Sequence, residues 1–399
     1  MTGGDGAQAG EPILPGATIG VLGGGQLGRM LGQAARRIGY GFVVYDPDPG
    51  CPAAAVADEQ VVAAYDDEPA LERFARRVDV VTFEFENVPA GPLAGLAKWV
   101  PVRPAPAVLE TCRDRVAEKT FLQGCGVPIA PWRACVTLAE AEAAAGELGK
   151  GVLKTAQFGY DGKGQRTFAS SAEAGEAFIE LGEVSSVAEG WVDFDREVST
   201  LVARAPGGEM VVYPVVENRH VDHILDTTLA PAPGASDELR ASAAEIARTV
   251  AEHFDLVGLL AVEMFVVGEA EGSPRLMVNE LAPRPHNSGH YTIEACVTDQ
   301  FEQQLRAICG LPLGDTSMRV PAAAMVNLLG DLWRPLLVHP TVPPWVAALD
   351  EPTAKLHLYG KRQARVGRKM GHITATAEDT GAAAAAAERA RAGLLGQPE

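Results

Sequence analysis

The first hundred residues alternate short apolar runs with segments of helical periodicity. TIGVLGG, FVVYD and DVVTFEF have the length and composition of buried strands. Residues 26–39 and 68–78 instead repeat apolar side chains at helical spacing, as Leu27, Met30, Leu31, Ala34 and Ile38 do. This alternation predicts parallel βαβ units with right-handed crossovers over residues 17–112. Residues 1–16 are predicted to be a flexible tail, and the proline-rich VPVRPAPAVL marks the end of the first domain.

From residue 113 the pattern changes to mixed helices and antiparallel strands. RDRVAEKTFLQGCG predicts a helix ending near Gly124 or Gly126, and residues 237–254 predict an amphipathic helix. GLLAVEMFVV and PRLMVNELAPRPH predict a strand pair joined by the turn GEAEGS. We therefore predict an α/β first domain, an α+β second domain over residues 113–315, and a small β-rich C-terminal domain over residues 316–399. The last of these ends in an alanine-rich helix.

Net charge and cysteine spacing exclude some classes of protein and favour an intracellular one. The chain of 399 residues carries a formal net charge of -18, which argues against nonspecific binding to nucleic acid or to an anionic membrane. No apolar run reaches the ~18 residues of a membrane span. The six cysteines show no C-x-x-C spacing, which is typical of reduced intracellular thiols. A cytoplasmic protein is expected.

A glycine turn near the N-terminus matches a nucleotide-binding pattern. Gly23, Gly25 and Gly28 fit G-x-G-x-x-G between a strand and a helix, and Asp46 follows at the spacing of a ribose-binding acid. Alone, the pattern is a weak indication of an NAD-dependent dehydrogenase, and nothing downstream resembles a hydride-transfer site. A helix N-terminus with glycine amides is also a general site for anions or polar groups.

A second glycine-rich segment follows a predicted strand. Lys154 ends the strand GVLKTA, and GYDGKGQ supplies three glycines whose amides can approach an anion. Lys163 adds positive charge within it. The segment lacks the G-x-x-x-x-G-K-[ST] pattern of a P-loop. It is either a phosphate-binding loop or an ordinary glycine-rich hairpin.

Two acids interrupt the predicted strand pair. Glu263 lies within LLAVEMFVV, and Glu280 ends LMVNE. A carboxylate in an apolar strand is costly unless it is paired or binds a metal. With Asn279 and phosphate oxygens, the two acids would suit Mg²⁺. The alternative is a buried ion pair with an arginine.

Polar and basic side chains follow these acids. In NELAPRPHNSGH, Arg284 offers a bidentate fork for a planar anion, whereas His286 alone is read more readily as a structural histidine. Further along, YGKRQARVGRKMGH concentrates Lys361, Arg365, Arg368 and Lys369 in an otherwise acidic chain. This basic segment is either a substrate-phosphate site or a solvated strand face.

Taken together and in order, these segments resemble the ATP-grasp enzymes, and among them the family that carboxylates an aminoimidazole ribonucleotide in purine biosynthesis. The motifs that carry the resemblance are GGGQLGRM, EFENVP, FGYDGKGQ, NELAPRPHNSGH and GRKMGH. The resemblance runs from about Ala17 to the GHIT segment. It implies a Rossmann-like pre-ATP-grasp domain, a central ATP-grasp domain and a small C-terminal domain. The glycine turn then belongs to the ribonucleotide site, and Asp46 has no dinucleotide to hold.

The resemblance also implies the reaction. ATP would phosphorylate bicarbonate to carboxyphosphate, and the amine of 5-aminoimidazole ribonucleotide would then be carboxylated, with release of ADP and phosphate. The implied cofactors are ATP and Mg²⁺, with Mn²⁺ as an alternative ion. A homodimer is implied, with no nucleic acid or membrane partner.

The residue roles implied by the resemblance fall into four groups. The metal ligands are Glu263 and Glu280. Residues around bicarbonate and the reacting amine are Arg284, His286, Asn287, Ser288, Lys361, Tyr160, Asp161 and Lys163. The ATP site comprises Arg115, Lys154, Gly159, Tyr160, Asp161, Gly162, Lys163, Gly164, Gln165, Glu189, Gly190, Trp191, Val192, Glu197, His220, Asn279 and Glu280. The ribonucleotide site comprises Gln26, Leu27, Glu84, Lys361, Arg368 and Lys369.

The sequence departs from the family pattern near His220. Arg219 and His223 stand where the family has an apolar residue and a glycine, and Lys163 replaces an arginine found in some members. The rival readings are another ribonucleotide-dependent ATP-grasp ligase, such as a formate-dependent glycinamide ribonucleotide transformylase, and a non-catalytic nucleotide-binding relative. RPHNSGH and GYDGKGQ favour the carboxylase. The retained Lys154, Glu263, Glu280 and Arg284 favour an active enzyme.

Overall fold

The N-terminal part of the chain folds as a parallel sheet covered on both faces. The computed structural model describes residues 11–86, 88–159, 162–337 and 345–394. Four parallel strands lie in the order β3-β2-β1-β4. Separate apolar clusters pack on the two faces, and β1, β2 and β4 are largely apolar, as the sequence predicts, whereas the edge strand β3 is polar. The elements are β1 (Thr18–Leu22), α1 (Gln26–Arg37), β2 (Gly41–Tyr45), β3 (Glu59–Val61), α2 (Glu68–Ala75), β4 (Val80–Phe83), α3 (Ala90–Leu96) and α4 (Pro106–Cys112), with a 3-10 helix at Pro52–Val56.

A smaller antiparallel sheet follows, with strand order β5-β8-β6-β7. Its helices α6 and α7 cover one face through an alanine-rich apolar cluster. The glycine-rich loop, residues 159–165, connects β6 to β7. The elements are α5 (Arg115–Gly124), β5 (Trp132–Cys135), α6 (Leu138–Leu148), β6 (Gly151–Thr155), β7 (Gln165–Phe168), α7 (Ser171–Glu180) and β8 (Ser186–Gly190).

The rest of the chain is organised on one long sheet. Its order is β14-β13-β9-β11-β12-β15-β17-β16, with β10 paired to β9. Its first elements are β9 (Arg196–Arg204), β10 (Met210–Val212), β11 (Val216–Val221), β12 (Ile224–Ala230), α8 (Asp237–His253), β13 (Gly258–Val267) and β14 (Arg275–Ala282). Then follow α9 (Thr292–Ala295), α10 (Gln300–Cys309), β15 (Ala322–Leu329), α11 (Trp345–Leu349), β16 (Ala354–Leu358), β17 (Lys369–Ala377) and α12 (Thr380–Gly393), with 3-10 helices at Asn287–Gly289 and Gly330–Leu337.

The predicted α/β and α+β classes are confirmed, and the C-terminal strands add a feature that the sequence does not indicate. β15 pairs with β12, so β15–β17 extend the central sheet. The alanine-rich helix α12 packs on these added strands. The predicted domain boundaries at 112 and 315 stay predictions. No helix in the described ranges is long and apolar enough to cross a membrane.

The predicted N-terminal tail is shorter than expected. The N–H of Ile13 donates to the carbonyl oxygen of Cys309 at 2.8 Å, and the Tyr40 hydroxyl donates to the Ile13 carbonyl at 2.5 Å. The chain is therefore held against the fold from Ile13 on. Residues 1–10 lie outside the described part of the chain.

Candidate active site

The two predicted metal-binding acids lie opposite each other on neighbouring strands. Glu263 of β13 pairs with Glu280 of β14, next to a register shift. Removal from water and the charge of Glu263 raise the pKa of Glu280, while Arg115 and Lys154 oppose this shift. A cation between the carboxylates would relieve the repulsion. Within the described residues no group of three or more His, Cys, Asp or Glu side chains forms a metal site, so phosphate oxygens would have to complete the coordination.

His286 is the partner of Glu263, where the sequence offered an arginine as the alternative to a metal. Its Nε2 lies 2.9 Å from Oε1 of Glu263, and both side chains are largely buried. Burial alone would raise the pKa of Glu263, but the imidazole outweighs it and the pKa is lowered. The backbone of His286 is fixed by Gln300, whose amide accepts its N–H at 2.8 Å and donates to its carbonyl at 2.9 Å. His286 therefore has a structural role within the site, as the hydrogen-bond partner of Glu263.

Arg284 and Asn287 differ in how they are engaged. Arg284 Nη2 lies 2.6 Å from Oε1 of Glu86, which links the central sheet to the N-terminal domain. Asn287 is 8% exposed, and neither polar atom of its amide has a hydrogen-bond partner. Buried polar groups are normally paired. This amide is therefore available to a ligand, which supports its predicted place beside bicarbonate.

The nucleotide side of the site contains a buried charge cluster. Lys154 Nζ lies 3.1 Å from Oε1 of Glu189, and Lys119 Nζ lies 3.4 Å from Oε2 of the same carboxylate. Burial would raise the pKa of Glu189, but the two lysines lower it. Lys119 also donates to the Asn279 carbonyl at 2.9 Å. Lys119 is 1% exposed and is not among the site residues predicted from the sequence; the available signal was a lysine on the buried face of α5.

Arg115 holds the glycine-rich loop at its start. Its guanidinium donates to the carbonyl oxygens of Thr155 at 2.9 Å and Gly159 at 3.1 Å. A Cβ at Gly159 would lie 2.7 Å from this guanidinium, so a larger residue there would force the Arg115 side chain to shift. Two further loop residues, Gly162 and Gly164, have positive φ. Lys163 lies in the loop and Gln165 begins β7, whereas Tyr160 and Asp161 lie outside the described residues.

The departure from the family pattern near His220 has a local consequence. Asp222 and His223 both have positive φ and form the tight turn between β11 and β12. A Cβ at Gly162 would lie 2.5 Å from that of His223, so the histidine side chain packs directly on the glycine-rich loop. A glycine at residue 223 would lack this contact.

Several residues of the predicted ATP site are already partly engaged within the chain. The N–H groups of Gly190 and Trp191 donate to the carbonyls of Pro131 at 2.8 Å and Lys150 at 2.9 Å. The Trp191 ring is exposed and lies under Nζ of Lys150. On the sheet, Glu197 Oε1 lies 3.0 Å from His220 Nδ1. The roles of these residues and of Val192 in binding ATP stay predictions.

The glycine turn of the N-terminal domain is closed by acids of the chain itself. Glu84 accepts the N–H groups of Gly25 at 2.7 Å and Gly28 at 3.0 Å. Asp46 accepts the N–H of Gly24 at 2.7 Å and the hydroxyl of Tyr65 at 3.0 Å. The N–H groups of Gly24, Gly25 and Gly28 are therefore bonded to these two carboxylates and are not offered to a dinucleotide's phosphates.

The predicted ribonucleotide residues gather from the N-terminal and C-terminal parts of the chain. Lys361 Nζ donates to the Lys369 carbonyl at 2.7 Å, and Arg368 Nη1 donates to that of Gln363 at 2.8 Å. The charge of Lys361 acts on Glu84, and that of Lys369 acts on Glu263. Gln26 begins α1 half-buried. Leu27 is 7% exposed with its side chain in the core, so only its backbone can reach a ligand.

A stack of histidines lies beneath this basic segment. The ring of His372 lies 4.5 Å from that of His290 and 4.4 Å from that of His357, centroid to centroid. His290 and His372 are fully buried. Burial lowers the pKa of both well below the ordinary value, and the neighbouring His357 disfavours charge on both. Both are therefore neutral in the folded protein.

These buried histidines predict an acid-dependent loss of stability. Below about pH 6.5 the unfolded chain binds a proton at each histidine and the folded chain does not, so each lowers the free energy of unfolding by up to ~1.4 kcal/mol per pH unit. His372→Asn should reduce the slope by about that amount in urea unfolding between pH 6.5 and 5. The exposed His253→Asn is the control and should leave the slope unchanged. An unchanged slope in His372→Asn would contradict the assignment.

Family models match three consecutive parts of the chain. They describe the ribonucleotide synthetase preATP-grasp domain over residues 16–113, the ATP-grasp domain over residues 120–301, and the phosphoribosylaminoimidazole carboxylase C-terminal domain over residues 323–386. With the fold and the site, they define an ATP-grasp ligase. The resemblance seen in the motifs is thereby confirmed at the level of the enzyme class.

Individual relatives narrow the class. An N5-carboxyaminoimidazole ribonucleotide synthase of Brucella melitensis is 46% identical over 369 residues, which cover 91% of this chain and 97% of the relative. The synthetase structure from Thermus thermophilus has a TM-score of 0.85 and 44% identity, covering 95% of this chain and 99% of that one. An Aspergillus clavatus synthase, solved with ADP and 5-aminoimidazole ribonucleotide, has a TM-score of 0.84 and 33% identity, covering 95% and 98%. The chain belongs to the N5-carboxyaminoimidazole ribonucleotide synthase family.

Proposed function

We propose that the chain carboxylates 5-aminoimidazole ribonucleotide with bicarbonate and ATP, giving 5-(carboxyamino)imidazole ribonucleotide, ADP and phosphate. The observation that carries the proposal is the meeting of the Glu263–Glu280 pair with Arg284, His286 and Asn287, in a chain of this family. The pair offers negative charge for a cation. The segment beside it offers a guanidinium and an unpaired amide for a small anion.

ATP would lie between the two antiparallel sheets. Lys154, Arg115 and the glycine-rich loop would hold its phosphates. Glu263 and Glu280 would hold Mg²⁺, or Mn²⁺, together with phosphate oxygens. The ion, when bound, neutralises charge on the phosphates. In this arrangement Lys154 would exchange part of its pairing with Glu189 for the phosphates.

Bicarbonate would lie beside Arg284 and Asn287. One of its oxygens attacks the terminal phosphorus of ATP, the bond to the bridging oxygen breaks, and ADP leaves with that electron pair. Arg284 offsets negative charge on the carboxyphosphate formed. The Asn287 amide supplies a donor and an acceptor. His286 and Ser288 border the same space.

The ribonucleotide would bring its amine to the activated carbon. The nitrogen attacks this carbon, or CO₂ released from it, phosphate leaves with the electron pair of the C–O bond, and the amine loses a proton to that phosphate. Its 5′-phosphate would be held by Lys361, Arg368 and Lys369. The predicted contacts of Gln26, Leu27 and Glu84 would fix the rest of the ribonucleotide, and those of Tyr160, Asp161 and Lys163 would fix the reacting amine. Holding both reactants together supplies much of the rate enhancement in such reactions.

Isotope incorporation separates this reaction from its closest rival. With ATP, Mg²⁺ and 5-aminoimidazole ribonucleotide, label from bicarbonate should enter the carboxyamino product. Labelled formate in place of bicarbonate should give no product. Incorporation of formate, with glycinamide ribonucleotide as acceptor, would instead identify a transformylase.

Lys361→Ala should weaken binding of the ribonucleotide selectively. Loss of a charged hydrogen bond of ~1.5–3 kcal/mol should raise KM for the ribonucleotide about tenfold or more, and KM for ATP should stay within about twofold. Steady-state kinetics with each substrate varied would measure this. The exposed Lys355→Ala on β16 is the matched control. Equal effects on both KM values would remove Lys361 from the phosphate site.

We further propose that the chain acts as a homodimer in the cytoplasm. The proposal rests on the family resemblance alone. Light scattering should give twice the chain mass of 41.9 kDa. A monomer that turns over at the same rate would contradict it.

A further inference from the structure

A chain of buried polar side chains runs beneath the active site, across three neighbouring strands. Thr228 Oγ1 donates to Oδ1 of Asn218 at 3.0 Å, and Asn218 Nδ2 donates to Oγ of Ser199 at 2.8 Å. Thr228 and Asn218 are cross-strand partners on β12 and β11. Ser199 lies on β9, directly opposite Glu263 of β13. Sheet register therefore aligns these side chains with the site.

This series of side-chain hydrogen bonds continues into the segment that contains His286 and Ser288. Ser199 Oγ donates to Oγ of Ser288 at 2.9 Å, and Ser288 Oγ lies 2.9 Å from Nδ1 of His286. The other ring nitrogen, Nε2, contacts Glu263 at 2.9 Å. We call Thr228, Asn218, Ser199 and Ser288 the polar chain.

Burial makes the polar chain difficult to explain by stability alone. Thr228 is 0%, Ser199 1%, Asn218 4% and Ser288 1% exposed. A buried hydrogen bond adds only ~1 kcal/mol net, and apolar side chains of similar shape often serve as well. Packing alone therefore does not explain why these four buried positions carry polar, hydrogen-bonded side chains.

The direction of the hydrogen bonds supplies that reason. The backbone N–H of Ser288 also points at Nδ1 of His286, at 3.3 Å, and this group can only donate. Nδ1 is therefore an acceptor without a proton, and Nε2 carries the hydrogen that it donates to Glu263. Thr228 holds the Asn218 carbonyl and so turns the NH₂ group toward Ser199. Each donor in the polar chain then points toward His286.

We propose that Ser199, supported by Asn218 and Thr228, is a positioning residue that acts through Ser288 to hold His286 with its Nε2–H on Glu263. The consequence rests on the proposed function: a fixed imidazole keeps the Glu263 carboxylate oriented toward the cation and the ATP phosphates. Outer groups that orient metal-binding side chains commonly matter about 10–100-fold for activity.

Kinetics of paired variants test the proposal. Ser199→Ala should lower kcat about tenfold, with KM for ATP and ribonucleotide within about twofold. Thr228→Val keeps the shape and should lower kcat by a smaller factor than Ser199→Ala, whereas Thr228→Ser keeps the hydroxyl and should retain wild-type kcat. Thr200→Val is the matched control. It removes a buried hydroxyl on the opposite face of β9, which donates to the Tyr213 carbonyl at 2.8 Å, and it should reduce stability without changing kcat.

Nitrogen NMR of the histidine rings gives a readout that needs no substrate. In the wild type, Nδ1 of His286 should be unprotonated and Nε2 protonated, with the signals assigned through His286→Asn. In Ser199→Ala the two nitrogen shifts should move toward each other. A protonated Nδ1 in the wild type, or a Ser199→Ala variant that behaves like Thr200→Val in both measurements, would overturn the proposal. Because the spectrum is independent of turnover, failure of the proposed reaction would be seen separately.

Discussion

Glu280→Gln is expected to abolish Mg²⁺-dependent turnover, with kcat reduced about 10³-fold or more, while the fold stays intact. The substitution leaves one carboxylate of the acid pair, and stabilisation of phosphate charge by a bound ion contributes several kcal/mol. A loss of ~4 kcal/mol corresponds to ~10³ in rate. The fold should tolerate the change because it removes a buried charge, and burial together with repulsion from Glu263 raises the pKa of Glu280.

The measurement is ADP release at saturating substrates over a range of Mg²⁺ concentrations, together with urea unfolding. Glu252→Gln, an exposed substitution on α8, is the control and should match the wild type in both. The free energy of unfolding of Glu280→Gln should be equal to or above that of the wild type. Turnover of the same order as the wild type would remove Glu280 from the metal assignment.

Arg284→Lys should lower kcat/KM for bicarbonate about 10²-fold, even though it conserves the charge. Lysine can still pair with Glu86, but it loses the planar fork that binds a carboxylate-like anion through two parallel hydrogen bonds. Negative charge on the carboxyphosphate develops during the reaction, and the Arg284 fork would stabilise it in the transition state. The substitution should therefore reduce kcat/KM for bicarbonate more than it weakens the binding of ATP. Initial rates with bicarbonate varied would measure it.

Arg76→Lys offers a matched control for this substitution. Arg76 is an ion-paired arginine on the surface of the first domain, bound to Glu72, and its replacement should leave kcat/KM unchanged. If Arg284→Lys also keeps wild-type kcat/KM for bicarbonate, Arg284 serves only to hold Glu86. It then has no role at the anion site.

Local sequence patterns predicted the elements well where a single periodicity dominates. The alternation of buried strands and amphipathic helices in the first domain, and the pairing of β13 with β14, follow from spacing alone. The long sheet does not follow, because β12 and β15 are far apart in sequence and their pairing depends on how distant segments meet. The strand segments of the C-terminal part look like a separate unit for the same reason.

The site was predictable in its acids and bases, which interrupt apolar strands or cluster in an acidic chain. Their partners were less visible. Glu84 lies far in sequence from the glycine amides that it binds, and the motif alone reads as a dinucleotide site. Lys119 lies on the buried face of a helix and is not part of any motif. Ser199 is a small polar residue in an apolar strand, whose importance depends on contacts with Asn218 and Ser288 that only the fold brings about.

ADP release by the purified protein tests the proposed reaction most directly. ATP and Mg²⁺ are supplied throughout, and 5-aminoimidazole ribonucleotide and bicarbonate are each added or left out. We predict turnover that requires the ribonucleotide and rises with bicarbonate. ADP release that does not respond to the ribonucleotide would leave the ATP-grasp fold in place but contradict the assigned substrate.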